Sequence, residues 1–313
     1  NGKAGQSDNW YMGITTESLF TFDKTFGVHG INAVVGFTAE KTNWGSKSMS
    51  ATGFPNDLTQ DYDMSLGTKP GKLQSDRGDA ALASFLGRIN YTLLDKYIFT
   101  ASYRTDGSSK FTDANKWAGF LSGAFAWRMS EEQFIKSLNV FDNLKLRLSW
   151  GITGNQEIPN KISQIKLGST DGAVLDGGTT VTQGVTLTRT PNLDLKWERT
   201  EQINIGFDFA ILKNRLSGTF DFFSKTTKDV LLQVYSISPA PTTQVWSNVP
   251  DMKIVNKGFE VGLNGVIIDT KDWRWNAGVN FSSITNKVKN LPMSSITTGN
   301  PSGPGITGFS SQI

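Results

Sequence analysis

Between Ile203 and Ile211 every second residue is a large hydrophobe: Ile203, Ile205, Phe207, Phe209 and Ile211. Gln202, Asn204, Gly206, Asp208 and Ala210 occupy the intervening positions. After Lys213-Asn214-Arg215 the alternation resumes, with Leu216, Phe220 and Phe222 set against Ser217, Thr219 and Asp221. A period of two places successive side chains on opposite faces of an extended strand. The segment is therefore a hairpin with one apolar and one polar face, and the apolar face must touch either protein or lipid.

The same alternation recurs along the 313 residues. Strands are expected near 11–24, 28–42, 79–94, 96–106, 117–129, 143–154, 198–212, 214–235, 257–269 and 273–289. Short joins at 25–27, 95–96, 213–214 and 270–272 alternate with long ones at 43–78, 107–116, 155–197 and 236–256. The long joins are rich in Gly, Ser, Thr, Asn and Pro, which punctuate loops. One join on the short side, Ser130 to Asp142, is wider. Ser130 and Gln133 have capping-box spacing, and Phe134 with Leu138 forms an apolar pair four residues apart. A small helix is expected there. No helical crossover separates the strands, so an antiparallel sheet follows.

Composition leaves both protein and lipid open as the apolar neighbour. Mean hydropathy is −0.28, but a transmembrane barrel exposes only alternate residues to lipid, so its average stays polar. No run of about 18 apolar residues supplies a transmembrane helix. Three features favour lipid over a soluble β-sandwich. In "NLKLRLSW", Lys145 and Arg147 take the phase opposite Leu144, Leu146, Leu148 and Trp150. A cation on the lipid face at mid-membrane would cost about 2–4 kcal/mol, so this phase suits a watery lumen. Tyr91, Tyr97, Trp197, Trp273 and Trp275 mark strand ends, where amphipathic rings suit a membrane–water interface. Long and short joins also fall at opposite ends, as in outer-membrane barrels. The 32 glycines sit largely inside strands, an unusual place that a curved wall makes reasonable. In lipid no water satisfies a free backbone edge, so such strands must close into a barrel.

The chemistry of sites is sparse. His29 is the single histidine and there is no cysteine, so neither a histidine-based triad nor a metal centre is suggested. Asp57, Asp61 and Asp63 lack the EF-hand pattern and read as a solvated acidic loop. "GITGN" precedes no helix and is not a phosphate loop. A net charge of +3 without a basic stripe gives no case for nucleic acid. No cofactor is implied. Trp44, Tyr62 and Trp246 fall in the expected long loops, where aromatic rings either stack on a ligand or pack the loops together.

Several stretches resemble the SusC/RagA-like family of TonB-dependent outer-membrane transporters. They are "FLGRINYTLLDKYIFTASYRTDGSSKF" (85–111), "WAGFLSGAFAWRMSEEQFI" (117–135), "NLKLRLSWGITGNQEI" (143–158), "IVNKGFEVGLNG" (254–265) and "WRWNAGVNFSSITNKVKNL" (273–291). "LKWERT" followed by "FSKTTKDVLL" is the most specific. The resemblance implies a barrel of about 22 antiparallel transmembrane strands around a plug domain. Residues 1–313 then read as part of the barrel domain, about ten strands, with the plug and the terminal strands absent. "GNPSGPGITGFSSQI" (299–313) reads as a loop.

The resemblance further implies a bacterial outer-membrane importer of oligosaccharide or peptide, driven by TonB–ExbB–ExbD through the plug and served by a SusD-like surface lipoprotein. This chain would supply wall, lumen lining and outer loops, without covalent chemistry. Ile203, Ile205, Phe207, Phe209, Phe220 and Phe222 would face lipid. A passive porin or adhesin-like barrel and a secreted sugar-binding β-sandwich are the alternatives.

Overall fold

The structure, a computed structural model, describes residues 2–291 apart from 59–60, 72, 170–183 and 237–238. The loop expected at 299–313 lies outside the described residues. Ten long strands form one sheet in chain order. They are β1 (Gly2–Phe26), β2 (His29–Phe54), β3 (Gln74–Leu93), β4 (Tyr97–Ser108) and β5 (Trp117–Arg128). After them come β6 (Phe141–Asn155), β7 (Glu198–Ile211), β8 (Leu216–Lys228), β9 (Lys253–Asp269) and β10 (Arg274–Lys289). Every neighbouring pair is antiparallel. The sheet is open, and no second sheet packs on its apolar face among the described residues.

The turns of one end are tight because residues there adopt left-handed backbone conformations. Gly27 has φ +58°, Leu94 and Asp95 have φ 56° and 53°, and Leu212, Lys213 and Asn214 have φ 58°, 58° and 61°. Positive φ reverses the chain within a few residues and matches the twist of the flanking strands. Neighbouring turns are also tied together. Leu94 N–H donates to Val28 O at 2.8 Å, and Asn214 N–H donates to Asp142 Oδ2 at 2.9 Å.

Three expectations are corrected. β1 and β2 run far beyond 11–24 and 28–42, so the loop expected from residue 43 starts only after Phe54. Their outer halves pair Asn9 with Ser46, Asp8 with Lys47 and Ser7 with Ser48. Both faces are polar there, so no alternation betrays a strand, yet the backbone ladder continues. The strand expected over 214–235 breaks at Asp229, whose φ is 54°. Residues Leu231–Tyr235 leave the sheet and form a small hairpin with Gln244–Asn248.

The wide turn holds a 3₁₀ turn (Met129–Glu131) and a four-residue helix, α1 (Gln133–Lys136), as expected in kind. The capping box does not form. Glu132 stands at the helix start without a side-chain cap, and Phe134 and Leu138 are exposed. The Glu132 carboxylate instead accepts from Tyr97 Oη (2.6 Å), Lys96 Nζ (3.1 Å) and Trp127 Nε1 (3.2 Å). These three donors outcompete the helix amides because two strand ends deliver them together.

One face of the sheet is a set of apolar rows that follow the register. Ile31, Tyr91, Phe99, Phe125, Leu148, Ile205, Phe222 and Phe259 are successive partners from β2 to β9. A second row runs Tyr97, Trp127, Leu146, Phe207, Phe220, Val261 and Phe281. Such cross-strand pairs contribute roughly 0.2–1 kcal/mol each. Ile203, Ile205, Phe207, Phe220 and Phe222 are between 39% and 47% exposed. Phe209 is half-buried, because its ring folds over Gly218, its direct partner.

The strand glycines have a reason beyond curvature. Trp10 lies over Gly45, Trp44 over Gly78 and Trp117 over Gly107, each pair in direct register. A Cβ at any of these glycines would collide with the ring. The ring covers backbone that glycine leaves bare, which offsets the weakness of glycine in a strand.

Two outcomes are expected. If the apolar rows face lipid, as the resemblance implies, arginine at Ile205 or Phe207 should destabilise membrane assembly by about 2–4 kcal/mol, whereas Asn204→Arg should be tolerated; heat-modifiable gel migration of the full-length protein reads the difference. The Tyr97 hydroxyl, then Lys96 and Trp127, hold the Glu132 carboxyl below the ordinary carboxylate value. Its stabilisation is then complete above the unfolded pKa and vanishes as pH falls through the lower, folded pKa. Protection factors for amide exchange at 129–140, taken relative to the intrinsic rate at each pH, should fall on acidification in that window, and Glu132→Gln should remove this pH dependence.

Candidate functional site

The opposite face of the sheet carries a hydrogen-bonded polar lining. Asn32 Nδ2 donates to Asp23 Oδ2 (2.8 Å), Asn90 Nδ2 to Asn32 Oδ1 (3.2 Å), and Thr100 Oγ1 to Asn90 Oδ1 (2.8 Å), a chain across four strands. Arg104 reaches Asp106 Oδ1 at 2.6 Å and Ser84 Oγ at 2.9 Å. Buried polar groups need such partners, and a face built of them suits a wet interior.

At the centre of this face Arg147 on β6 spans β7 to reach β8. Its Nε and Nη2 donate to Asp208 at 2.7–3.0 Å, and its Nη1 and Nη2 donate to Asp221 at 3.0 and 2.9 Å. Gly206 lies between Arg147 and Asp221 in register. A Cβ there would stand 2.5 Å from Asp221 Oδ1 and 2.7 Å from Arg147 Nη2. The missing side chain is thus the groove through which the guanidinium crosses. Paired fork geometry makes these the strong kind of charge-assisted bond.

At the long-loop end the loops share a core of their own. Phe111, Ala118, Phe120, Ile158, Ile162, Leu195, Trp197 and Leu231 pack together, with Leu82, Ile152 and Trp246 against them. Leu195 is wholly buried. Trp197 packs at a tilt against Phe111 (5.4 Å between ring centres), meets Phe120 edge-on (5.6 Å) and donates Nε1–H to Lys116 O at 3.0 Å. Asn248 Nδ2 donates to Lys196 O and to Asp229 O, both at 2.8 Å, and Asn192 Nδ2 donates to Trp246 O at 2.8 Å. Among the described residues the rim is therefore a packed structure.

The three loop aromatics singled out by sequence do not converge. Trp246 packs against the loop core. Tyr62 is 85% exposed. Trp44 lies within β2, opposite Tyr11 on β1 and over Gly78 on β3. Trp197, expected at a membrane interface, belongs to the loop core. Tyr11 pairs with Trp44 through register, which no single stretch of sequence displays. His29 Nδ1 hydrogen-bonds the Tyr91 hydroxyl at 2.7 Å beside the turn. Among the described residues no three His, Asp or Glu side chains converge as a metal site would require.

Comparison with known proteins places this architecture. The sequence profile described as TonB dependent receptor-like, beta-barrel matches residues 1–308. The chain belongs to that family. It is 33% identical over 298 residues to TonB-dependent receptor P3 of Formosa agariphila, covering 93% of this chain and 29% of the relative. It is 36% identical over 213 residues to the TonB-dependent receptor SusC of Bacteroides thetaiotaomicron, covering 67% of this chain and 21% of SusC. The solved structure of the RagAB peptide transporter superposes with a TM-score of 0.80 at 26% identity, over 92% of this chain and 31% of the solved chain. The chain thus spans less than a third of the length of these relatives. As a TonB-dependent receptor barrel it is an outer-membrane protein, and its open sheet is part of a barrel wall. The β-sandwich alternative is set aside: the long strands form one continuous sheet.

Replacing Arg147 with Met should destabilise the full-length barrel by roughly 1–3 kcal/mol, since it strands two carboxylates in a site only partly open to water. The triple variant that also carries Asp208→Asn and Asp221→Asn should recover part of the loss in thermal unfolding followed by gel migration.

Proposed function

We propose that the full-length TonB-dependent receptor imports a nutrient, oligosaccharide or peptide, across the outer membrane, and that this segment forms wall, lumen lining and outer rim. The observation that carries the reading is the division of one antiparallel sheet into an apolar face and a hydrogen-bonded polar face, in a chain of this family. On this reading Ile203, Ile205, Phe207, Phe209, Phe220 and Phe222 lie against acyl chains. Arg147, Asp208 and Asp221 face the wet lumen, where desolvation of charge is least costly.

Residues 1–313 are one portion of the barrel domain, and energy reaches the receptor from TonB–ExbB–ExbD through a plug domain. A SusD-like surface lipoprotein is the partner at the mouth, where the packed loop core offers a firm platform. RagAB, the structural neighbour, is named as a peptide transporter. The work is positioning and passage, with no bond made or broken and no cofactor required.

Uptake of the substrate by cells carrying the full-length gene should be lost when TonB is deleted and restored by its re-expression. Undiminished uptake without TonB would overturn the reading in favour of a passive pore.

A further inference from the structure

Beyond Ile203 the apolar face of β7 changes character. The run Ile203–Ile211 has about the length of the 9–11 tilted residues that cross a bilayer. The next positions on the same face, toward the long joins, are Glu201 and Arg199. Register carries the change onto the neighbouring strands. Arg199 stands directly opposite Lys228 on β8. On β9 and β10, Lys257 is opposite Ser224, Lys287 is opposite Val255, and Lys253 is opposite Lys289. These positions keep the phase of Phe222, Phe259 and Phe281. The alternate residues Ile254 and Val288 pack on the other face against Val230, Val249 and Met252, which fixes the phase independently. The six cations therefore share the apolar face at its long-join end.

Two features set them apart. Like charges stand directly opposite each other at Arg199–Lys228 and at Lys253–Lys289, an arrangement that destabilises a ladder. Little on the chain compensates it. Glu201 is held by Lys228 Nζ at 3.3 Å and by Trp150 Nε1 at 2.9 Å. Asp229 is taken by Lys196 Nζ at 2.8 Å. Among the described residues no carboxylate pairs with Arg199, Lys253, Lys257, Lys287 or Lys289. The cations also form a patch and not a continuous belt, since β4 and β5 place Tyr103, Leu121 and Trp117 on this face at their long-join ends. β7, β8 and β9 are each paired on both sides, so their cations keep these neighbours in a closed wall.

We propose that Arg199, Lys228, Lys253 and Lys257 bind the phosphate groups of the phosphorylated glycolipid of the outer leaflet, with Lys287 and Lys289 extending the patch. This assignment rests on the reading that the apolar face lies against lipid and the long joins lie outside the cell. Uncompensated positive charge at the edge of the hydrocarbon calls for an anion from outside the chain. Long Lys and Arg stems lie along apolar surface and deliver their charges to headgroup level, where phosphate accepts charge-assisted hydrogen bonds. The patch is continuous with the apolar rows. An anion that carries acyl chains is held by its headgroup and by Phe222 and Phe259 beneath it, whereas free phosphate is held by charge alone. A second copy of this chain would bring like charge against like.

The test uses the full-length receptor purified in detergent and freed of native lipid. Thermophoresis measures binding of lipid A, of the same lipid after phosphatase treatment, and of inorganic phosphate. Lipid A should bind, removal of its phosphate should weaken binding by about tenfold or more, and excess inorganic phosphate should not displace it. The quadruple variant Arg199→Gln, Lys228→Gln, Lys253→Gln and Lys257→Gln should lose about tenfold or more in lipid A affinity. Lys225→Gln, at the same level on the opposite face, should bind as the wild type does. Because like-charge pairs are relieved, the quadruple variant should unfold no earlier than the wild type in lipid-free detergent, and lipid A should raise the midpoint of the wild type alone. Lys257→Gln by itself, which touches no direct like-charge pair, should weaken binding several-fold and serves if the quadruple variant fails to assemble. Equal binding of the two lipid forms, displacement by inorganic phosphate, or undiminished affinity in the folded variants would overturn the proposal. Assembly of Ile205→Arg against Asn204→Arg is scored separately, so failure of the lipid-facing reading and failure of the phosphate assignment give different results.

Discussion

Every peptide group in the hydrocarbon layer must be hydrogen-bonded to another peptide group, because no water is present to take its place. The antiparallel ladder meets that demand between every pair of neighbouring strands from β1 to β10. It leaves the side chains unconstrained by backbone needs, and they divide by face. The faces can therefore hold opposite chemistry a few ångströms apart: Phe207 beside Asp208, Leu146 beside Arg147, Phe222 beside Asp221. The ladder also explains why the short-join end is tightly organised. Strands that must stay in register need turns that do not slip, and a left-handed backbone at Gly27, Asp95 and Asn214 reverses the chain at a defined residue.

Glycine gives the wall a second use of the same ladder. A glycine directly opposite a large ring removes the neighbour that would hold the ring away from the sheet. On the apolar face this lays Trp117 over Gly107 and Phe209 over Gly218, smoothing the surface. On the polar face it lays Trp44 over Gly78 and opens the path by which Arg147 crosses Gly206. One residue type thus serves apolar cover, a charged clamp and an aromatic platform, according to what stands opposite.

The rim shows how loops become a surface. Phe111, Phe120, Ile158, Leu195 and Trp197 come from different loops and strand ends, yet they bury one another. Asn192 and Asn248 then satisfy the backbone groups that such burial would leave unpaired. A rim ordered in this way loses little entropy when something docks on it, which favours recognition over random contact.

The sequence alone determined the ten long strands, their antiparallel order, the alternation of short and long joins, and the division of Ile205 and Phe207 from Asn204 and Asp208, but not the short hairpins of the long joins. These are legible because a period of two, and the residues that interrupt it, are local properties. It did not disclose the outer halves of β1 and β2, where polar residues on both faces erase the period while backbone pairing persists. It could not tell that Trp197 would join a loop core, that Glu132 would be claimed by Tyr97, Lys96 and Trp127 in place of a helix cap, or that Trp44 would meet Tyr11 and Gly78. Those outcomes belong to the tertiary structure alone. Each depends on register between strands distant in the chain, and register is decided by the whole ladder at once.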